Sequence, residues 1–159
     1  MGNFYEKHDW KERWEDIEPY FIGGPYDGVL DIGCAGGDLG KHVSTLVKFV
    51  IGIDNQQDAI NVARSEYNYK FTAYYKNIND YISEKWSYDI ILCLGVIHKP
   101  KILDMSRIID TILSRAKKQV IFRDPFINQL MIETAHKYNF DVLCPAKSNV
   151  RKLIICNKI

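Results

Sequence analysis

Short apolar runs alternate with longer amphipathic ones along nearly the whole chain. Val29–Gly33, Phe49–Asp54, Phe71–Tyr75, Tyr88–Gly95 and Lys118–Asp124 are predicted strands. Each is short, rich in Val, Ile and aromatic residues, and apolar on both faces, as buried parallel strands are. The stretches between them predict helices. Leu39–Val47 and Gln56–Tyr67 have helical spacing, the second through Ile60, Ala63 and Tyr67. Ile102–Arg115 puts Ile102, Met105, Ile109, Ile112 and Leu113 on one side, and Ile127–Tyr138 predicts a further helix that Asn139 stops.

After that helix the rhythm changes. Asp141–Pro145 and Val150–Asn157 are predicted strands joined through Ala146-Lys147-Ser148-Asn149 with no helix between them, which makes an antiparallel hairpin. The pattern predicts a single α/β domain over residues 1–159, a doubly wound, mostly parallel seven-stranded sheet with helices on both faces. Residues 1–28 read as a helical cap and 29–159 as the core. In the cap, Trp10, Trp14, Ile17 and Phe21 follow a 4-3-4 spacing, and Pro19 ends the helix near Ile17 or Glu18. Such a helix either covers the edge of the sheet or serves as a lid that keeps water from a crevice.

Charge narrows the classes. Twenty-one Lys and Arg against 20 Asp and Glu leave a net charge of +1, so no global basic field grips nucleic acid or anionic lipid. Lys99, Lys101, Arg107 and Arg123 fall near one edge, with Lys147, Arg151 and Lys152 at the terminal hairpin; such runs are usually a solvated face. The longest apolar run, Ile90 to Val96, is far short of a membrane span, and the first residues lack a signal-peptide core. A cytoplasmic protein with no membrane association is expected. Cys34, Cys93, Cys144 and Cys156 are irregularly spaced and the four histidines are scattered, so reduced thiols and no metal site are expected.

The candidate chemistry begins at Val29-Leu30-Asp31-Ile32-Gly33-Cys34-Ala35-Gly36-Gly37-Asp38, where a strand runs through a Gly-rich turn into a helix. The missing side chains at Gly33, Gly36 and Gly37 let a ligand approach the backbone. Asp31 can accept from an ammonium group or an ordered water, and it would repel a pyrophosphate in the same turn. Position 35 is Ala, so a dinucleotide Gly-x-Gly-x-x-Gly fingerprint is not met. A second acid, Asp54, closes Phe49-Val50-Ile51-Gly52-Ile53, placed either to take both hydroxyls of a ribose or to cap the helix that follows.

The first of these motifs resembles the opening motif of class I S-adenosylmethionine-dependent methyltransferases, Asp or Glu, x, Gly, x, Gly, x, Gly. The chain supplies Asp31, Gly33, Ala35 and Gly37, departing from it at Ala35. The resemblance implies that Asp31, Gly33, Cys34, Ala35, Gly36 and Gly37 hold S-adenosylmethionine, or S-adenosylhomocysteine as product. It also implies that Asp54 holds the ribose with Asn55 beside the adenine. Asn77, with Ile78 next to it, falls where the family places an acid for the adenine amino group, although Asn77 could equally cap the next helix. Tyr88-Asp89-Ile90-Ile91-Leu92-Cys93-Leu94-Gly95-Val96-Ile97-His98 resembles the family's fourth-strand motif. By that resemblance Leu94 and Gly95 lie beside the methionine part, and His98 near the transferred methyl.

Methyl transfer asks chiefly for alignment of nucleophile, methyl and sulfur, with a base only for a protonated acceptor of high pKa. His98 is the candidate base, with Arg123, Asp124 and Tyr5 as other groups near the acceptor. The tetrad of adenine-N6 enzymes and the Pro-Cys nucleophile of cytosine-C5 enzymes are both missing. The expected function is methyl transfer to a small molecule or RNA. The alternatives are a non-catalytic S-adenosylmethionine-binding module that activates a partner protein, and an NAD-dependent enzyme disfavoured by Asp31 and Ala35. Sequence leaves the acceptor and the oligomeric state open.

Overall fold

The apolar runs form one sheet. In chain order the computed structural model gives α1 (Trp10–Ile17), a 3-10 turn (Glu18–Tyr20), β1 (Gly28–Ile32), α2 (Asp38–Val43), β2 (Phe49–Asp54), α3 (Gln57–Ser65) and β3 (Phe71–Tyr75). It continues with α4 (Ile78–Tyr81), β4 (Tyr88–Leu94), α5 (Met105–Arg115), β5 (Ala116–Asp124), α6 (Gln129–Lys137), β6 (Phe140–Leu143) and β7 (Lys152–Lys158). The structure describes residues 10–96, 104–124, 129–145 and 152–159.

The strand order is β3-β2-β1-β4-β5-β7-β6. β1 to β5 are mutually parallel, and β7 enters between β5 and β6 antiparallel to both. This is the doubly wound seven-stranded sheet that the alternation predicts. Two apolar clusters sandwich it. One joins Leu30 and Ile32 of β1 to Ile78, Ile108, Ile112, Met131 and Ala135 from α4, α5 and α6. The other joins Val29, Leu92 and Ile121 to Trp14, Ile17, Leu39, Val43, Ile60 and Ala63 from α1, α2 and α3. Central strands therefore bury both faces, which is why β1 is buried at every position.

Several boundaries move for physical reasons. α1 ends at Ile17 and gives way to a 3-10 turn, because Pro19 disfavours helical geometry in the residue before it. α2 stops at Val43, short of the predicted Val47, with Ser44 Oγ donating to Lys41 O at 2.6 Å as the helix closes. Tyr67, expected on the buried face of α3, is 92% exposed; the helix ends at Ser65 and only Ala59, Ile60 and Ala63 are buried. β5 starts at Ala116, two residues before the predicted Lys118. On α5 the buried row is Ile108, Ile109, Ile112 and Leu113, with Met105 partly buried; Ile102 lies outside the described residues. The expected hairpin strands settle at Phe140–Leu143 and Lys152–Lys158, and Asn139 stops α6 at a φ of 59°.

Candidate functional site

The strand order reverses between β1 and β4, and an open parallel sheet binds ligands outside the carboxyl ends of its strands at such a point. Two turns meet there. The Gly33–Gly37 loop leaves β1, and Gly95 leaves β4. A Cβ built on Gly33 would lie 2.4 Å from Val96 Cγ2, so the two turns touch and only glycine fits. Gly33, Gly37 and Gly95 have φ of 77°, 82° and 77°, the left-handed region that favours glycine. Ala35 shares it at 47°, so the residue that departs from the family pattern sits in a conformation suited to the glycine it replaces.

The loop is tied to β2. Gly33 N and Cys34 N donate to Ile53 O at 2.8 and 3.1 Å, and Ala35 N donates to Asp54 Oδ2 at 3.0 Å. Asp54 Oδ1 accepts from Gln56 N at 3.0 Å. Asp54 thus organises the glycine loop and the turn into α3, while each of its oxygens keeps a second acceptor position. It is 6% exposed, and its expected capping role takes the form of an Asx turn ahead of α3.

Asp31, on β1, is 3% exposed, and its Oδ2 has no hydrogen-bond partner among the described residues. Burial pushes its carboxyl up to about 7; the Arg13 guanidinium opposes that rise, and Asp54 adds to it. Two buried carboxylates at one crevice favour a cationic ligand over a phosphate. Burial also pushes the Cys34 thiol well above its ordinary range, with Asp31 and Asp54 adding to the shift, so this thiol is inert. Cys34, Cys93 and Cys156 are buried, Cys144 is exposed, and none of the four is in a disulfide.

The other expected residues distribute unevenly. Lys76 N donates to Asp54 O at 2.9 Å, which brings the turn after β3 beside Asp54. Asn77 in that turn caps α4: its Oδ1 accepts from Asn79 N and from Asn79 Nδ2, both at 2.9 Å. Both acceptor positions of this oxygen are therefore used within the turn, which favours the capping alternative. Ile78 is buried beneath it, and Asn55 stands exposed at the end of β2. Leu94 is buried, and Gly95 N donates to Arg123 O at 2.6 Å. His98, the expected base, lies outside the described residues, as do Tyr5, Lys99 and Lys101. Among the described residues no group of three or more His, Cys, Asp or Glu could hold a metal ion.

Two residues change the picture. Arg123, expected near the acceptor, is 4% exposed and turned under α1, where Nε donates to Asp16 Oδ2 at 2.7 Å and a terminal nitrogen to Glu12 Oε1 at 3.0 Å. Arg13, on the same helix, acts electrostatically on Asp31. Sequence reasoning passes over Arg13 because its neighbour lies 18 positions away, in another element, with no periodicity to link them. The aromatic face of α1 packs as the 4-3-4 spacing predicts: Trp14 meets Phe21 and His42 with ring centroids 5.5 and 4.8 Å apart.

Residues 26–153 match the methyltransferase domain family, and the chain belongs to it. Its sheet is that of the class I S-adenosylmethionine-dependent methyltransferases. One curated relative is the ubiquinone biosynthesis O-methyltransferase of Glaesserella parasuis, 38% identical over 81 residues, covering 45% of this chain and 34% of the relative. Another is a probable cobalt-precorrin-6B C(15)-methyltransferase (decarboxylating) of Methanococcus maripaludis, 45% identical over 51 residues, covering 30% of this chain and 28% of the relative. The matched segments thus span about a third of these relatives. Among solved structures, magnesium protoporphyrin IX methyltransferase from Synechocystis PCC 6803 with bound S-adenosylmethionine superposes with a TM-score of 0.69 at 18% identity. That alignment covers 92% of this chain and 76% of the other, a likeness of fold.

Proposed function

We propose that this domain transfers a methyl group from S-adenosylmethionine to a small organic acceptor. The observation that carries the reading is the buried Asp31 carboxylate, with Oδ2 lacking a hydrogen-bond partner among the described residues, beside a glycine loop held by Asp54. A buried polar atom left without a partner costs stability and points to a ligand that completes it. The residues suit this donor. Asp31 accepts from its ammonium group, and Arg13 donates to its carboxylate. Asp54 accepts from the ribose hydroxyls through its remaining acceptor positions, while Asn55 borders the adenine. Gly33, Cys34, Ala35, Gly36 and Gly37 present backbone without bulk, and Ile78, Leu94 and Gly95 line the walls.

When bound, S-adenosylmethionine supplies an electrophilic methyl group on a sulfonium sulfur. The acids at Asp31 and Asp54 favour the positive charge of that group, and buried Leu94 and Val96 keep water from the crevice. His98 is proposed as the base for an acceptor that must lose a proton. A small-molecule acceptor is favoured because both curated relatives are named for small-molecule chemistry, and a net charge of +1 provides no field to draw a polyanion.

The test is release of S-adenosylhomocysteine from S-adenosylmethionine in the presence of a panel of phenols, catechols and tetrapyrrole precursors. Acceptor-dependent release is the expected result. Release with a structured RNA alone, or none from any acceptor while the donor binds, would contradict a small-molecule methyltransferase.

A further inference from the structure

The helix that brings Arg13 to the crevice is held by unequal means. Its apolar side is fixed by Trp14 and Ile17, both buried against α2 and the sheet. The segment after it is fixed by Gln119, fully buried on β5, whose Nε2 donates to Tyr20 O at 2.7 Å and to Asn157 Oδ1 at 2.8 Å. Trp14 and Ile17 set which face of the helix meets the sheet. At about 100° per residue Arg13 lies between that apolar row and Asp16 and Glu12, so a directional contact at Glu12 and Asp16 adds to the packing in fixing where Arg13 points.

Glu12 and Asp16 stand four residues apart, on neighbouring turns of one helix face, and both reach Arg123. The planar guanidinium accepts this two-point grip in one orientation only, which a flexible ammonium would not impose. Arg123 is also joined to the other side of the crevice. It pairs with Leu94 across the β4–β5 ladder, and its carbonyl accepts from Gly95 N. One buried residue therefore touches both the helix that carries Arg13 and the turn that closes β4.

We propose that Arg123 is a positioning residue: by gripping Glu12 and Asp16 it completes the hold that apolar packing has on the rotation of α1 and keeps Arg13 over the Asp31 end of the crevice. The inference rests on the cofactor reading above, in which Arg13 and Asp31 take the amino-acid end of the ligand. Arg123 itself touches neither cofactor nor acceptor in this account.

The experiment compares two ligands by calorimetry. S-adenosylhomocysteine has the amino-acid end, whereas 5′-methylthioadenosine lacks it. Arg123→Met, and separately the double variant Glu12→Gln/Asp16→Asn, should each weaken S-adenosylhomocysteine about tenfold and leave methylthioadenosine within about twofold. The double variant alters only partly exposed side chains, so it serves even if Arg123→Met does not fold. The two changes shift local charge in opposite directions. A simple field effect would move the affinities oppositely, whereas a broken grip moves them the same way. In an Arg13→Ala background, Arg123→Met should add less than about a twofold loss.

Unchanged S-adenosylhomocysteine affinity in folded variants, opposite shifts, or equal weakening of both ligands would overturn the proposal. Failure of the wild-type chain to bind either ligand would instead overturn the cofactor reading on which it stands.

Discussion

Asp31 meets two opposed demands. A buried carboxylate lowers the stability of the empty fold, yet the same group is the strongest partner for a ligand ammonium. Its carboxyl sits at about 7 against an ordinary 3.8, so the folded chain binds a proton more tightly than the unfolded chain between those values. Asp31 therefore removes stability as pH rises from about 4 to 7, by of order 4 kcal/mol in the limit. Asp31→Asn should abolish that loss. Chemical denaturation of both chains at pH 5 and pH 8 should show the variant gaining on the wild type at the higher pH, and identical profiles would contradict the assignment. Ala35 yields a second expectation. Its φ of 47° is strained for a residue with a Cβ, so Ala35→Gly should raise stability by about 0.5–1 kcal/mol in the same measurement. Both residues are visible in the sequence as motif positions. The buried Oδ2 and the sign of φ are not, because each depends on what other elements place around the residue.

At the scale of elements, legibility follows burial. β2 and β3 are found with their predicted bounds, since a short apolar run with turn residues at both ends admits few other readings. α4 is anticipated only as the helix that Asn77 could cap and is given no bounds, because it is four residues long and its start is encoded by one Asn77 that serves equally well as a site residue. Tyr67 misleads because it has helical spacing from Ile60 and Ala63, although α3 has already ended at Ser65. The glycine loop belongs to this scale too. A Cβ on Gly37 would lie 2.7 Å from the Phe71 ring and 3.1 Å from Ala63, at a φ of 82°. Gly37→Ala should therefore cost about 3 kcal/mol through strain and overpacking together, read as a lower denaturation midpoint with unchanged slope. An effect within about 0.5 kcal/mol would mean that the loop relaxes more freely than its contacts imply.

For the whole molecule, alternation alone was enough to predict a doubly wound sheet and the crevice at its switch point. The candidate site within that crevice was only half legible. Asp31, Gly33, Ala35, Gly37 and Asp54 announce themselves because they are close in sequence and lie at or just past the carboxyl end of one strand each. Arg13 does not, and Arg123 is read only as a group near the acceptor, because the two meet the crevice through packing between α1 and β5, positions more than a hundred residues apart. No helix among the described residues is long and apolar enough to cross a membrane. The central claim, that this crevice binds an adenosyl amino acid through Asp31, is tested most directly by titrating the chain with S-adenosylhomocysteine beside its Asp31→Asn variant. One-to-one binding that weakens at least about tenfold in a variant of equal or greater stability is the predicted result. Absence of binding by the wild type, or equal binding by both chains, would contradict it.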